Sequence, residues 1–362
     1  MASSGRRTGS ADLPLHGGKA PHWLFRRMVA LTRELVRIMA AEGGPEELLR
    51  RLSDPRWFQA LGCAAGFDWH SSGLTTTLCG ALKEGLRGLE GEVGLQVCGG
   101  KGAAARRTPE EIRAVAERCA LEGGSLVEAS RLSAKVDSNA VQDGYRIYHH
   151  SFFVTARGRW AVVQQGMHEG GWARRYHWLG EQVSDFVRDP QAAVCGRPGP
   201  ALNLVAGEGE ANREGSVALC REPPARLVGE LARARELTLP GRHRILAEDL
   251  DPRRLERILL KTYERPPADY ASLVGMAGVG AKTLRALSLL ADLLYGAPPS
   301  FRDPARFSFA HGGKDGHPFP VDRTTYDQSI EFLRRAVSRA RLDRTERLQA
   351  LRRLHTYYDV EA

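Results

Sequence analysis

The sequence predicts an α+β protein: an N-terminal mixed domain with a β-hairpin or small sheet, and a C-terminal all-helical domain of the helix-hairpin-helix kind. Three observations carry this. Apolar residues recur at three-to-four spacing over most of the chain, as on one face of a helix. One stretch, YRIYHHSFFVTARGRWAVVQQGM, instead alternates and is rich in aromatic and β-branched residues. After it comes a Pro/Gly-rich stretch, 190–225, with weak periodicity, and beyond that the helical pattern takes over. A chain of 362 residues suits two or three domains at about 100–200 residues each. The boundaries read as a loose tail at 1–10, a mixed and potentially catalytic domain at 11–189, a linker at 190–225 and a helical domain at 226–362.

In chain order, WLFRRMVALTRELVRIMAAEG predicts a long helix stopped by Gly43-Gly44. EELLRRL, WFQALGCAAG and TTTLCGALKEGLRGL predict further helices. TPEEIRAVAERCALEG opens with Thr108 as N-cap, Pro109 at the first helical position and Glu111 at capping-box spacing. Arg157-Gly158 separates the two alternating runs as the turn of a hairpin, and RRYHWLGEQVSDFV returns to a mixed or helical pattern. The last third reads as helices, among them ARLVGELARARELTL, DPRRLERILLKTYE, KTLRALSLLADLLYG and TERLQALRRLHTYY.

The formal net charge is +9, which favours a polyanionic partner over a basic metabolite. Only seven of the 52 basic residues are lysine, a skew of the kind genomic base composition produces. The six cysteines form no CxxC pair and fit no zinc or iron–sulfur spacing, so free thiols in a reducing cytoplasm are expected. No apolar run approaches the roughly 20 residues of a membrane helix.

The densest motif is LVGMAGVGAKTL, residues 273–284. Gly278 and Gly280 permit a tight turn between two helices. The free N–H groups of the second helix suit a phosphate oxygen, with Lys282 adding a cation and Thr283 a hydroxyl. The spacing from Gly275 to Lys282 is not that of a P-loop, and no strand precedes it. A plain helical turn is the alternative.

A second constellation, KVDSNAVQDGYRIYHHSFF with WAVVQQGM, offers Lys135, Asp137, Gln142, Asp143, His149, His150, Gln164 and Gln165. On a strand, Gln164 and Gln165 point to opposite faces, so only one reaches the site of a given histidine. Asp137, Asp143 and His149 are the candidate ligands for Mg²⁺ or Mn²⁺, which would bind a scissile phosphate and activate water. Satisfied hydrogen-bonding histidines and an Asp-Gly turn are the plainer readings. Asp12, His16, Asp68, His70 and the neighbouring Ser71, Ser72, Thr75 and Thr76 could join this site. CGGKGAAARR, with Lys101, Arg106 and Arg107, reads as a basic loop. RRYHW pairs Arg174 and Arg175 with aromatics, which suits single-stranded nucleic acid by charge and stacking.

Two resemblances follow from these residues. LVGMAGVGAKTL resembles the helix-hairpin-helix motif, which grips the DNA backbone without reading sequence. In DNA glycosylases of that class, the lysine of the motif is the nucleophile of bifunctional members and a downstream Val-Asp supplies a carboxylate. Lys282 and Asp322 match those positions, although the 40 residues between them exceed the usual interval. Separately, RTGSADLPLHGGKAPHWL, GFDWHSSGLTT, KVDSNAVQDGYRIYHHSFF, WAVVQQGM and ARRYHWL resemble the prokaryotic family called domain of unknown function 763. That resemblance carries no established activity. It does imply that the two halves belong together.

Three functions are consistent with the sequence. The first is a metal-dependent nuclease for DNA repair or recombination, acting on single-stranded or structured DNA and gripping it with the hairpin. The second is a glycosylase or lyase using Lys282 and Asp322 on a flipped base. The third is a non-enzymatic DNA-binding accessory protein.

Overall fold

The computed structural model describes residues 22–66, 73–236, 252–305, 331, 335–340 and 344–359. Helices α1 (His22–Ser53), α2 (Pro55–Ala64), α3 (Gly73–Leu86) and α4 (Glu90–Val93) lead into strand β1 (Leu95–Lys101). Helices α5 (Ala103–Arg106), α6 (Thr108–Cys119) and α7 (Gly123–Lys135) follow, and α7 runs into a π-helical turn at Val136–Ala140. Strands β2 (Val141–Gln142), β3 (Arg146–Thr155), β4 (Trp160–Met167), β5 (Ala173–Leu179), β6 (Ala193–Cys195) and β7 (Leu202–Asn203) come next. The rest is helical: α8 (Glu210–Leu219), α9 (Pro224–Glu236), α10 (Pro252–Glu264), α11 (Tyr270–Gly275), α12 (Ala281–Tyr295) and a last helix, Arg344–Asp359.

The architecture is α+β. A five-stranded antiparallel sheet, in the order β1-β3-β4-β5-β6, forms the central layer, and β2 pairs with β7 in a separate two-stranded ribbon. The alternation of the hairpin sequence becomes the two faces of this sheet. Phe152, Val162 and Trp178 lie side by side across three strands and face one apolar core with α6, α7 and α8 to α12. Phe153, Ala161 and Leu179 face the other core, with α1 to α3. Arg157-Gly158 makes the turn between β3 and β4, and Gly158 takes the positive φ of 77° that a tight turn needs there.

Three local expectations change. RRYHW is a strand, not a return to helix. All seven residues of β5 are buried, because helices cover both faces of the sheet, and a strand buried on both sides shows no alternation. The capping box on α6 does not form. The Thr108 hydroxyl donates to Ala105 O, while the Glu111 carboxylate accepts from Gly99 N and from Lys83. The stretch 190–225 is not an open tether: it supplies β6, β7 and α8, and Leu204, Val205, Val217 and Leu219 enter the second core. The break at Gly43-Gly44 is present. Gly44 has φ 79° and ψ 168°, so the α1 axis kinks there and restarts at Pro45.

The two cores cross the expected domain boundary. One joins sheet residues to α9, α10, α11 and α12, and the other includes Ala336, Val337 and Ala350 beside α2. Among the described residues no helix is long and apolar enough to cross a membrane.

Candidate functional site

The hairpin motif folds as two helices joined by a glycine turn. Asp269 caps α11 by accepting from Ser272 N, and the helix ends after Gly275. Gly278 takes φ 92°, a conformation costly for a side chain, and Val279 N closes the turn onto Met276 O. Gly280 is the N-cap of α12 with an extended backbone, and a Cβ built on it meets nothing within 4 Å. Ala277, Gly278 and Lys282 are exposed, while Val279 and Thr283 are buried and hold the turn to the core. Thr283 therefore does not offer its hydroxyl to a surface ligand, and Gly275 lies on the inner side, against Leu132 of α7. Lys282 stands in the first turn of α12. Its side chain is exposed there. Asp322 lies outside the described residues, as do Asp12, His16, Asp68, His70, Ser71 and Ser72.

Beneath the turn, two residues expected at a catalytic centre are structural braces instead. The Lys135 ammonium, at the end of α7, donates to Val274 O, Gly275 O and Met276 O at 2.9, 3.1 and 2.6 Å. These are carbonyls that the end of α11 leaves without helical partners. A cation at a helix C-terminus is electrostatically favourable as well. Burial, with the neighbouring Arg131, holds the Lys135 pKa below the usual lysine range. The Gln142 amide donates to Asn139 O and Ala281 O, and its carbonyl accepts from Arg285 Nε at 2.7 Å. Lys135 thus grips the helix before the turn and Gln142 the helix after it.

The remaining polar residues of the constellation separate onto the two faces of the sheet. On the face of the larger core, the Asp137 carboxylate is fully buried and accepts from Gln164 Nε2, Trp178 Nε1 and Gln191 Nε2. All three partners are neutral donors, so burial dominates and raises the Asp137 pKa to about 7. The chain continues from the Gln164 carbonyl to His150 Nδ1 at 2.8 Å, and from His150 Nε2 to Ser130 Oγ at 2.9 Å. With its amide on Asp137, Gln164 must accept from His150, which sets the proton on Nδ1 and makes Nε2 the acceptor from Ser130.

Asp143 belongs to a second buried network. It accepts from Arg174 Nη1 at 2.8 Å, from the Tyr176 hydroxyl at 2.6 Å and from Tyr145 N. Arg174 also makes a two-pronged pair with Asp303. Arg175 is buried over the Phe58 ring and donates to Gln59. Neither arginine is available to nucleic acid, contrary to the expectation for RRYHW.

His149 points the other way, beside Ser151 and toward α1 and α3. The three expected metal ligands are therefore not together: Asp137 and Asp143 are consumed in different networks and His149 lies across the sheet. Among the described residues no group of three His, Cys, Asp or Glu side chains stands close enough to hold a metal ion. Lys101 and Arg106 are exposed as expected, with the Lys101 ammonium 5.7 Å from the Tyr148 ring centroid.

Sequence reasoning missed Arg285, Gln191 and Asp303, and read Trp178 as a stacking surface for nucleic acid, whereas it is buried and donates to Asp137. Arg285 carried a signal, one turn beyond Lys282 on the same helix. The others reach their partners only through tertiary packing.

A family model described as protein of unknown function (DUF763) matches residues 9–321. The chain belongs to that family. Neither the curated proteins nor the solved structures contain a match to it. The DUF763 match spans the sheet, both buried networks, the Lys135 and Gln142 braces and the glycine turn, so the turn and its braces lie within one family unit.

Proposed function

We propose that this DUF763 protein binds DNA through the sugar–phosphate backbone, at the α11–α12 turn, and serves in DNA repair or recombination as a sequence-neutral grip. The observation that carries the reading is the braced turn. Lys135 and Gln142 fix both helices from below, and the Gly278–Gly280 side stays open with the N-terminus of α12 behind it. Rigid N–H donors at a helix N-terminus favour a phosphate oxygen. Exposed Lys282, in the first turn of that helix, adds positive charge at that side. Single-stranded or structured DNA is the partner this reading names. The sheet's carboxylates serve the fold in this reading, so the chain acts as a DNA-binding protein and not as a nuclease built on Asp137, Asp143 and His149.

Gly280→Asp tests it. The backbone at Gly280 is extended and its side-chain space is empty, and aspartate is a favoured N-cap. The variant should fold with wild-type stability. Its carboxylate would occupy the place of the phosphate, and DNA binding by fluorescence anisotropy should weaken by about tenfold or more. Wild-type binding should also fall with salt as phosphate contacts require. Undiminished DNA affinity in a folded Gly280→Asp protein would overturn the proposal.

A further inference from the structure

Another open feature among the described residues lies on the opposite side of the sheet. A cavity of about 950 Å³ opens between α1, α3, β1 and β3, a size typical of small-molecule sites. Six cationic and two acidic side chains line it. Lys83 is spent on Gly99 O and Glu111, and Arg33 on the carbonyls of Gly85 and Arg87. Arg26, Lys101 and Arg107 also line the cavity, and none of them has a carboxylate partner among the described residues.

His149 supplies an independent pointer to a ligand. It lines this cavity and is 1% exposed, its Nε2 lies 3.0 Å from Ser151 Oγ, and among the described residues its Nδ1 has no partner. An unpaired buried polar atom costs about 1–3 kcal/mol. At the wall of a basic cavity such an atom is placed to hydrogen-bond a group that enters the cavity. The wall itself is tightly specified. Gly99 has φ 87°, and a Cβ there would fall 2.3 Å from His150 O, so the end of β1 that presents Lys101 needs glycine at that position. Phe25 of α1 gives the cavity an aromatic side.

We propose that this cavity binds a phosphorylated nucleoside. Lys101 and Arg107 hold the phosphate, His149 Nδ1 hydrogen-bonds the ligand and Phe25 lies against the base. The shared chemistry is a phosphate monoester on a nucleoside, supplied either by a free nucleotide or by the phosphorylated end of a DNA strand. The cavity shares no residue with the glycine turn.

The test titrates the full-length protein with deoxyadenosine 5′-monophosphate by calorimetry. A short single-stranded oligonucleotide, with and without its 5′-phosphate, is titrated by anisotropy. Binding of the mononucleotide supports a free nucleotide, and a preference for the phosphorylated oligonucleotide supports a strand end. Either affinity should fall about tenfold or more in Lys101→Glu and Arg107→Glu, whose exposed positions leave the fold intact. Gly280→Asp should leave mononucleotide binding and the end preference unchanged, which separates this site from the hairpin. No mononucleotide binding together with no end preference overturns the proposal. So does binding of equal strength in both charge-reversal variants.

Discussion

Lys135 illustrates how one lysine can suggest catalysis in sequence and serve a backbone in structure. In sequence it stands with Asp137, Gln142 and Asp143 in one polar constellation. In the fold its three protons are taken by three successive carbonyls. Lys135→Met keeps the aliphatic stem but removes all three bonds, leaving Met276 O with Val279 N alone. It should lower stability by about 1–3 kcal/mol in urea denaturation and also weaken DNA binding, because the turn loses its brace. A stability loss with unchanged DNA affinity would mean that the brace and the grip are unconnected. His149 supports a pH prediction. Burial, first of all, lowers its pKa to about 3, while unfolded histidine titrates near 6.5. The unfolded chain therefore binds the proton more readily, and the stability this group contributes above pH 6.5 is lost as pH falls toward 3. Asp137 acts with the opposite sign, its contribution being lost as pH rises from the ordinary carboxylate range through about 7. His149→Gln isolates the histidine term: its melting temperature should fall less than that of the wild type between pH 6.5 and pH 4. Parallel curves would count against the assignment.

At the scale of the element, β5 is the instructive case. Its arginines and histidine made it look like a solvated, nucleic-acid-facing segment. Every one of its residues is instead buried between two helical layers. A buried arginine needs partners, and Arg174 has Asp143 on one side and Asp303 on the other, which also ties the chain after α12 to the sheet. Arg174→Leu would leave two carboxylates unpaired, Asp143 buried and Asp303 largely so. It should cost about 3–5 kcal/mol, measured by chemical denaturation. A loss below about 1 kcal/mol would show that this network contributes little. The α11–α12 element behaves differently. Its glycine spacing and apolar flanks were legible locally, since a turn between adjacent helices needs little beyond the residues that form it.

For the molecule as a whole, the halves on either side of 190–225 share their cores. Phe152, Val162 and Trp178 of the sheet lie in one apolar cluster with Leu227, Leu273, Leu284 and Leu287 of the C-terminal helices. A fragment beginning at 226 would expose that face to water and should not fold cooperatively. The intact chain should lose its α-helical signal and its buried-tryptophan fluorescence in one coincident urea transition. Two separated transitions, or a dispersed NMR spectrum from the isolated fragment, would contradict a shared core.

Periodicity was sufficient for the α+β class, the β3–β4 hairpin with its Arg157-Gly158 turn, the kink at Gly44 and the glycine turn at 278–280. Each depends on residues close together in the chain, so their spacing carries the information. The partners of the polar residues were not legible. Gln142 reaches Ala281 and Lys135 reaches Val274 across 139 positions of sequence. Asp137 and His149, close neighbours in the sequence, are sent to opposite faces by the sheet. Which polar groups are consumed in the fold and which, like His149 Nδ1, find no partner among the described residues depends on the packing of distant segments, and only the tertiary structure decides it.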